Sequence, residues 1–247
     1  MSQKIIFKKR RLSVIQFVPA LLSGRFIRRY KRFFADIILD DGQEVIAHCA
    51  NSGAMLGLLV PGTPVWVSKV PDNSPRQLRY TWELVDIEGS LIGVNTQMPN
   101  RLAEKALQNQ KIAELLDYPF YKREVKYGTN SRIDFLLTNE QGDRCYLEVK
   151  QVHMRVGDVA LFPDCVTTRG TKHLQELIKV RQEGARAVML YVLQRQDCKT
   201  FALAADIDPV YAKTAQQAQR EGVKFLAYAC SLTPDGIEIM NRIEVSI

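Results

Sequence analysis

The stretch SRIDFLLTNEQGDRCYLEVK, residues 131–150, decides the fold expected for the second half of the chain. Its two ends alternate apolar and polar residues, and its middle is rich in turn-forming residues, so it predicts a β-hairpin. The predicted strands are 131–138 and 145–152. One face of this hairpin is entirely apolar and consists of Ile133, Phe135, Leu137, Leu147 and Val149. We expect that face to lie against a core.

The other face of the hairpin carries charge. A turn centred on Gln141 places Asp134 opposite Glu148, and Lys150 shares their face because strand side chains alternate. Opposed side chains have Cβ atoms about 4.5–5.5 Å apart, so two carboxylates repel each other there unless a cation binds between them. With Mg²⁺ or Mn²⁺ bound, this cluster suits phosphodiester hydrolysis, with Asp134, Glu148 and Lys150 as catalytic residues. The alternative is an amphipathic strand with a solvated charged face.

The elements around the hairpin favour the catalytic interpretation. The pattern predicts a helix over 101–116 with Asn100 as its N-cap, a strand over 121–127, the hairpin, a helix over 170–183 and a strand over 186–194. This order is similar to the core of PD-(D/E)xK nucleases. An acid from the first helix would complete a metal site with Asp134 and Glu148, and Glu104 is the candidate. Alternatively, Glu104 is a first-turn glutamate favoured by the helix dipole.

A second cluster lies where the helix over 170–183 begins. Thr167, Arg169 and Lys172 gather there, and free backbone N–H groups at a helix N-terminus suit a phosphate. Arg169 and Lys172 are therefore candidate DNA-binding residues, although two surface cations beside a threonine cap would give the same pattern. The histidines show no metal-ligand spacing; they are His48, His153 and His173.

The first third of the chain is predicted to be a small β-barrel. Short apolar stretches at 12–18, 25–40, 43–49 and 63–70 alternate with turn residues, which is typical of an OB-like fold. We expect residues 1–80 to form this domain and residues 81–247 to form an α/β domain. Residues 1–80 carry a net charge of +8 and the remainder −1. This asymmetry indicates a polyanionic partner, and DNA is favoured over a membrane because no amphipathic helix is evident.

Basic and aromatic side chains alternate between Arg25 and Phe34. Cations that follow phosphates and rings that stack on bases suit either a single strand or a duplex backbone. The candidate DNA-binding residues in this segment are Arg28, Arg29, Tyr30, Lys31 and Arg32. The three phenylalanines are instead expected in the core; they are Phe26, Phe33 and Phe34.

Composition excludes several classes of protein. The 247 residues are 46% hydrophobic and 25% charged, which indicates a globular protein rather than a coiled coil, collagen or a disordered chain. No apolar run is long enough to span a membrane.

Five widely spaced cysteines form neither a zinc motif nor an even disulfide set, so a reducing, cytoplasmic location is expected. The basic stretch Lys8–Arg11 imitates a secretion signal, but Gln16 and Pro19 interrupt the apolar part that follows.

Six motifs occur in order along the chain: Arg28–Asp36, His48–Gly57, Gly93–Leu102, Ser131–Phe135, Glu148–Lys150 and Phe162–Leu174. Through them the chain resembles the bacterial sugar fermentation stimulation protein A family over nearly its whole length, with Ala50 in place of a usual proline. The resemblance implies an OB-like domain, a PD-(D/E)xK-like domain and DNA binding without marked sequence preference. It also implies a link to sugar utilisation, maltose metabolism especially.

The resemblance leaves the function open. One reading is a DNA-binding protein that regulates sugar metabolism and carries a candidate Mg²⁺-dependent nuclease site. The alternative is a catalytically active metal-dependent DNA nuclease. A third reading, an enzyme acting on a small phosphorylated sugar at Arg169 and Lys172, would need a closed pocket. The sequence leaves open whether single-stranded or double-stranded DNA is preferred. It also leaves the oligomeric state open, and a homodimer is one of the alternatives.

Overall fold

The first domain is a barrel closed by five strands. The computed structural model describes residues 13–128 and 131–247. The first seven strands of the chain are β1 (Ile15–Gln16), β2 (Leu22–Tyr30), β3 (Phe34–Leu39), β4 (Glu44–His48), β5 (Pro64–Lys69), β6 (Tyr80–Ile87) and β7 (Ser90–Gly93). β2 pairs with both β3 and β5, and a short parallel pairing of β4 with β6 closes the barrel. The predicted OB-like domain is confirmed.

Alternating apolar residues of the barrel strands fill its interior. Phe26 and Trp82 lie at the centre, with ring centroids 4.9 Å apart and almost no exposure. The indole N–H of Trp82 donates to the Leu84 carbonyl at 2.8 Å, so this large ring is buried without leaving a donor unsatisfied. The stacked pair therefore anchors the barrel from opposite sides, β2 and β6.

The second domain is a mixed sheet with helices on both faces. Its elements are α1 (Met98–Gln108), a short 3₁₀ helix (Ala113–Leu115), β8 (Phe120–Tyr127), β9 (Ser131–Thr138), β10 (Arg144–Val152), β11 (Met154–Val156), β12 (Val159–Phe162), α2 (Thr168–Gln182), β13 (Arg186–Leu193), β14 (Thr200–Leu203), α3 (Pro209–Arg220), β15 (Lys224–Thr233) and β16 (Gly236–Ser246). The strand order is β11-β12-β14-β16-β15-β13-β10-β9-β8. α1 packs on one face, and α2 and α3 pack on the other. The predicted α/β domain is confirmed, and two short strands that were not predicted, β11 and β12, lie between β10 and α2.

The predicted register of the central hairpin is also confirmed. β9 and β10 pair from Thr138 with Arg144 to Phe135 with Leu147, as a turn centred on Gln141 requires. The apolar face is buried as expected. The other face is not solvated, because α2 covers it and leaves Glu148 only 2% exposed.

Several expectations for the first half of the chain need correction. The segment 12–18 contributes only β1, which pairs with β16 of the second sheet; Leu12 and the basic residues before it lie outside the described residues. The segment 25–40 is two strands rather than one, because the chain turns at Lys31 and Arg32, whose φ angles are 47° and 63°. The barrel sheet continues through Gly93, so a domain boundary at residue 80 is too early.

The helix expected over 101–116 begins and ends earlier than predicted. α1 begins at Met98, ends at Gln108, and has Pro99 in its first turn, where a proline is well tolerated. Asn100 is therefore inside the helix, and Gln97 occupies the N-cap position without a side-chain hydrogen bond. The shift frees the Asn100 side chain for another role.

The two domains contact each other through short polar links. The amide of Gly93 donates to the Gln194 carbonyl at 2.8 Å. Asp164, in the loop before α2, accepts from the Met55 amide at 2.8 Å and contacts His153 Nε2 at 3.2 Å. A Cβ atom on Gly53 would lie 2.6 Å from the same carboxylate, so a larger residue there would have to displace the Asp164 side chain. Within the described residues, no helix is long and apolar enough to cross a bilayer.

The central ring pair should dominate the stability of the barrel. Phe26→Ala should cost about 3–5 kcal/mol, because the ring is fully buried against Trp82. Phe33→Ala makes the same change on a ring that is 45% exposed and should cost less than about 1 kcal/mol. Urea unfolding followed by tryptophan fluorescence measures both; equal costs would contradict the packing described here.

Candidate active site

The structure brings Asp134, Glu148 and Lys150 together beneath α2. Asp134 comes from β9, and Glu148 and Lys150 come from the neighbouring strand β10. All three are at least partly buried. The cluster is thus a recess in the second domain, with α1 beside it and α2 above it.

Glu148 has two oxygens in different surroundings. Its Oε1 accepts from Lys150 Nζ at 2.7 Å and contacts His173 Nδ1 of α2. Lys150 Nζ and His173 Nδ1 are 3.1 Å apart, so the three side chains form one group. Its Oε2 is buried and finds no hydrogen-bond donor among the described residues. A buried carboxylate oxygen without a donor is costly, and a bound cation would satisfy it.

Asp134 is held by one side chain and one backbone group. Asn100 Nδ2 of α1 donates to Oδ1 at 2.8 Å, and the Val149 amide donates to Oδ2 at 2.8 Å. The β9–β10 ladder therefore gives way to a side-chain contact at this point. Asn100 was expected to cap α1, and its contact with Asp134 is the first role that sequence reasoning missed.

The acids of the cluster differ in their electrostatics. Burial, then the charge of Glu148, raises the pKa of Asp134 to about 6, against hydrogen bonds that lower it. Burial opposes ionisation of Glu148 as well, but Lys150 and His173 overcome it and hold the pKa of Glu148 below its usual value. Burial and the neighbouring carboxylates also raise the pKa of Tyr127, whose hydroxyl faces the same recess. The site therefore holds one ionised acid and one acid close to its titration point.

Glu104 does not join this cluster, contrary to the sequence expectation. Its carboxylate accepts from Arg123 at 2.7 Å and from the Tyr121 hydroxyl at 3.0 Å. Asn100, one helical turn earlier, is the residue of α1 that reaches Asp134. Asn100 and Glu104 are four residues apart and share a face of α1, but only the turn with Asn100 reaches Asp134.

The basic cluster at the start of α2 lies beside the acids. Thr167 caps the helix by accepting from the Gly170 amide at 3.1 Å, as expected. Arg169 is exposed and its Nε lies 3.4 Å from His173 Nε2, which links it to Glu148 through one ring. Lys172 is exposed on the same turn. His173, which showed no ligand spacing in the sequence, thus connects the two predicted clusters.

The candidate DNA-binding residues of the barrel divide into two groups. Arg29 is structural, because its guanidinium donates to the carbonyls of Arg32, Asn51 and Gly53 at 2.7–2.9 Å. Lys31 and Arg32 are exposed at the tip of the β2–β3 hairpin. The base of the hairpin is linked to the loop before α2, because Arg29 bonds to Asn51 and Gly53, and the nearby Met55 amide bonds to Asp164. The hairpin tip and the start of α2 are therefore neighbours on one surface.

The remaining side chains of the hairpin support its shape and surface. Arg28 pairs with Asp36 at 2.7 Å and lies over the Tyr30 ring, which stacks on Phe34 at 5.4 Å. Phe33 was expected in the core and is instead 45% exposed, with its ring stacked on His48. Phe26 is buried as predicted.

The donor set fits a divalent cation that keeps much of its water. No group of three or more His, Cys, Asp or Glu within the described residues is arranged to hold a metal. Two carboxylates, one with a buried oxygen lacking a donor, are what Mg²⁺ usually takes from a protein, because it retains several waters. Asp134 and Glu148 would hold such an ion.

Asp134 should lower the stability of the metal-free protein at neutral pH. In the folded protein the pKa of Asp134 is about 6, above the ordinary value of 3.8. Protonated Asp134 therefore contributes fully to the free energy of unfolding below about pH 4, and this contribution is lost as the pH rises through 6. Asp134→Asn removes that loss and should stabilise the protein by about 2 kcal/mol at pH 7.5, with little effect at pH 4. Urea unfolding in EDTA measures both; a pH-independent difference would contradict this assignment.

Two family models cover most of the chain. The model described as "SfsA N-terminal OB domain" matches residues 27–94, and the model described as "Sugar fermentation stimulation protein RE domain" matches residues 97–236. The two matches meet in the segment between Gly93 and Met98, where the barrel sheet ends and α1 begins.

Known proteins match over the whole length. The sugar fermentation stimulation protein homolog of Paramagnetospirillum magneticum is 53% identical over 91% of this chain and 95% of its own. The homolog of Maricaulis maris is 50% identical over 94% of this chain and 99% of its own. The structure of Pyrococcus furiosus SfsA in complex with Ca²⁺ superposes with a TM-score of 0.87 at 24% identity, over 96% of this chain and all of its own. The chain belongs to the sugar fermentation stimulation protein family.

Proposed function

We propose that this protein binds DNA without marked sequence preference and cleaves its phosphodiester bonds with a divalent cation. The observation that carries the proposal is the buried Glu148 Oε2, which lacks a donor among the described residues and lies near Asp134 and Lys150. A cation between the two acids would satisfy that oxygen and relieve their repulsion. The Pyrococcus relative, described as a complex with Ca²⁺, supports the use of a divalent ion.

Each residue of the cluster has a distinct role in this proposal. Asp134 and Glu148 would hold Mg²⁺ or Mn²⁺, which would supply Lewis-acid chemistry at the phosphate. Lys150 Nζ, 2.7 Å from Glu148, is placed to hold the attacking water or a phosphate oxygen. His173 keeps Glu148 and Lys150 in position, and Asn100 does the same for Asp134. Glu104 does not bind the cation in this proposal, because its carboxylate already accepts hydrogen bonds from Arg123 and Tyr121.

DNA is the proposed substrate because exposed cations surround the recess. Lys31 and Arg32 lie on the hairpin tip, and Arg169 and Lys172 lie at the start of α2. They contribute positive charge on one side of the acids, and phosphate contacts of this kind carry no sequence information. The N-terminus of α2 adds backbone N–H groups that favour a phosphate beside Arg169.

A second candidate function is DNA binding without cleavage, linked to the regulation of sugar genes, maltose metabolism especially. The ion pair of Glu148 favours it, since Lys150 neutralises this carboxylate without any metal. The basic surface serves both candidates, so cleavage is the measurement that separates them.

Metal binding should depend on Glu148 and not on Glu104. Glu148→Gln should weaken Mn²⁺ or Ca²⁺ binding at least about tenfold, because it replaces the carboxylate that would contact the ion. Glu104→Gln is the matched control and should leave binding unchanged. Calorimetric titration at pH 7.5 measures both affinities; an equal loss in the two variants would place the ion elsewhere.

Cleavage should follow the same residues. With Mn²⁺, the parent protein should release fragments from end-labelled DNA, and Glu148→Gln and Lys150→Ala should reduce the rate at least about a hundredfold. Fragments from Glu148→Gln at the parental rate would show that the wrong residues are assigned. If the parent protein releases none, the regulatory candidate stands and catalysis is excluded.

Binding to duplex DNA should depend on the hairpin tip. Lys31→Gln with Arg32→Gln should lower the affinity for DNA of every sequence by the same factor. It should also reduce the slope of log affinity against log salt by about 1.8, at about 0.9 per lost phosphate contact. Lys213→Gln with Arg220→Gln removes the same charge from exposed positions of α3 and is the control. Anisotropy titrations over a range of salt concentrations measure the slopes, and a similar drop in both variants would count against the tip.

A further inference from the structure

A second concave surface lies where the barrel meets the start of α1. It is an open cleft of about 850 Å³. The barrel contributes the ends of β3, β4 and β5 and the loop 70–79, the segment after β1 forms one side, and the first turn of α1 forms the other. The mechanism proposed for the acidic site does not use this cleft.

The lining of the cleft combines cations with apolar and aromatic surface. Lys69, Arg76 and Arg101 supply positive charge, and all three are exposed. The described lining contains one acid, Glu83, which is 7% exposed and bonded through both oxygens to Ser68 and Asn95. Lys69 pairs with Asp72 at 3.6 Å, so the accessible positive charge of the cleft comes mainly from Arg76 and Arg101, and it suits a phosphate backbone.

The rings of the cleft are placed to receive bases. Phe17 and Phe34 line it, and Phe34 is held by its stack with Tyr30. At the rim, the ring of Phe33 is 45% exposed and rests on His48, which also lines the cleft. Base faces are accessible in a single strand and hidden in a duplex, so rings beside cations favour an unpaired strand.

The cleft and the acidic site share one rigid element. Glu83 of β6 fixes Asn95, whose Oδ1 accepts from the Gln97 amide and whose carbonyl accepts from the Met98 amide. The first turn of α1 is therefore locked to the barrel. On that turn Gln97 and Arg101 line the cleft, whereas Asn100, the residue before Arg101, bonds to Asp134. A strand that leaves the cleft along this turn arrives at the acids.

We propose that the cleft between the barrel and the first turn of α1 binds an unpaired strand of DNA and leads it to the Asp134–Glu148 site. The preferred substrate class is then duplex DNA with a single-stranded tail rather than blunt duplex. This proposal rests on the DNA binding proposed above and adds strand preference to it.

The test compares tailed and blunt duplexes in EDTA, so that binding is measured apart from metal and cleavage. A tail of about eight nucleotides lies within the usual site size of one OB fold. The parent protein should bind the tailed duplex more tightly than the blunt one in fluorescence anisotropy. Arg76→Gln with Arg101→Gln should abolish most of that advantage and reduce the salt slope for the tailed duplex by about 1.4, at about 0.7 per single-strand contact.

Two further variants separate the surfaces. Phe33→Ala removes an exposed ring and should lower the affinity for the tailed duplex about fivefold or more. The affinity for the blunt duplex should not change. Lys213→Gln with Arg220→Gln is the charge-matched control and should leave the tail advantage intact. Equal affinity of the parent for tailed and blunt duplexes overturns this proposal while leaving duplex binding in place. Absence of binding to either DNA overturns the proposed function as well.

Discussion

The contact of Glu148 with Lys150 and His173 is the interaction on which the site depends. A carboxylate that is 2% exposed is tolerated only if its charge is balanced, and a cation from its own strand and a ring from α2 provide that balance. Both partners meet the same oxygen, so the other, Oε2, is buried without a donor among the described residues. The packing of α2 over β10 is in this way tied to the electrostatics of the cluster.

The helices on the two faces of the sheet give the two acids opposite properties. α2 brings His173 to Glu148 and favours its ionised form, whereas α1 brings a neutral amide, Asn100, to Asp134. Burial and the charge of Glu148 keep the pKa of Asp134 raised, and the hydrogen bonds from Val149 and Asn100 only partly offset this. Both oxygens of Asp134 have a donor, whereas Glu148 Oε2 has none among the described residues, so Glu148 is the acid that a bound cation would satisfy.

Local chemistry made the central hairpin predictable and long-range packing limited the rest. The turn residues and the period-2 alternation fix which residues of β9 and β10 face each other, so the register from Thr138–Arg144 to Phe135–Leu147 followed from the sequence. The ladder stops there, and Asp134 instead accepts from the Val149 amide. The roles of Asn100 and His173 did not follow from the sequence, because they depend on which face of a helix meets the sheet. Glu104 was assigned to the site because a nuclease-like site takes an acid from its first helix, whereas in the structure Tyr121 and Arg123 bind its carboxylate. Arg29 and Arg32 read alike in sequence, and only the fold of the distant loop 51–53 makes one structural and the other exposed.

The glycine at position 53 sets a condition for recombining these domains. A methyl group there would lie within 2.6 Å of the Asp164 carboxylate, which also accepts from the Met55 amide. A foreign OB barrel grafted onto this α/β domain would therefore need a glycine and a free backbone amide at matching places, so that the same carboxylate can receive both.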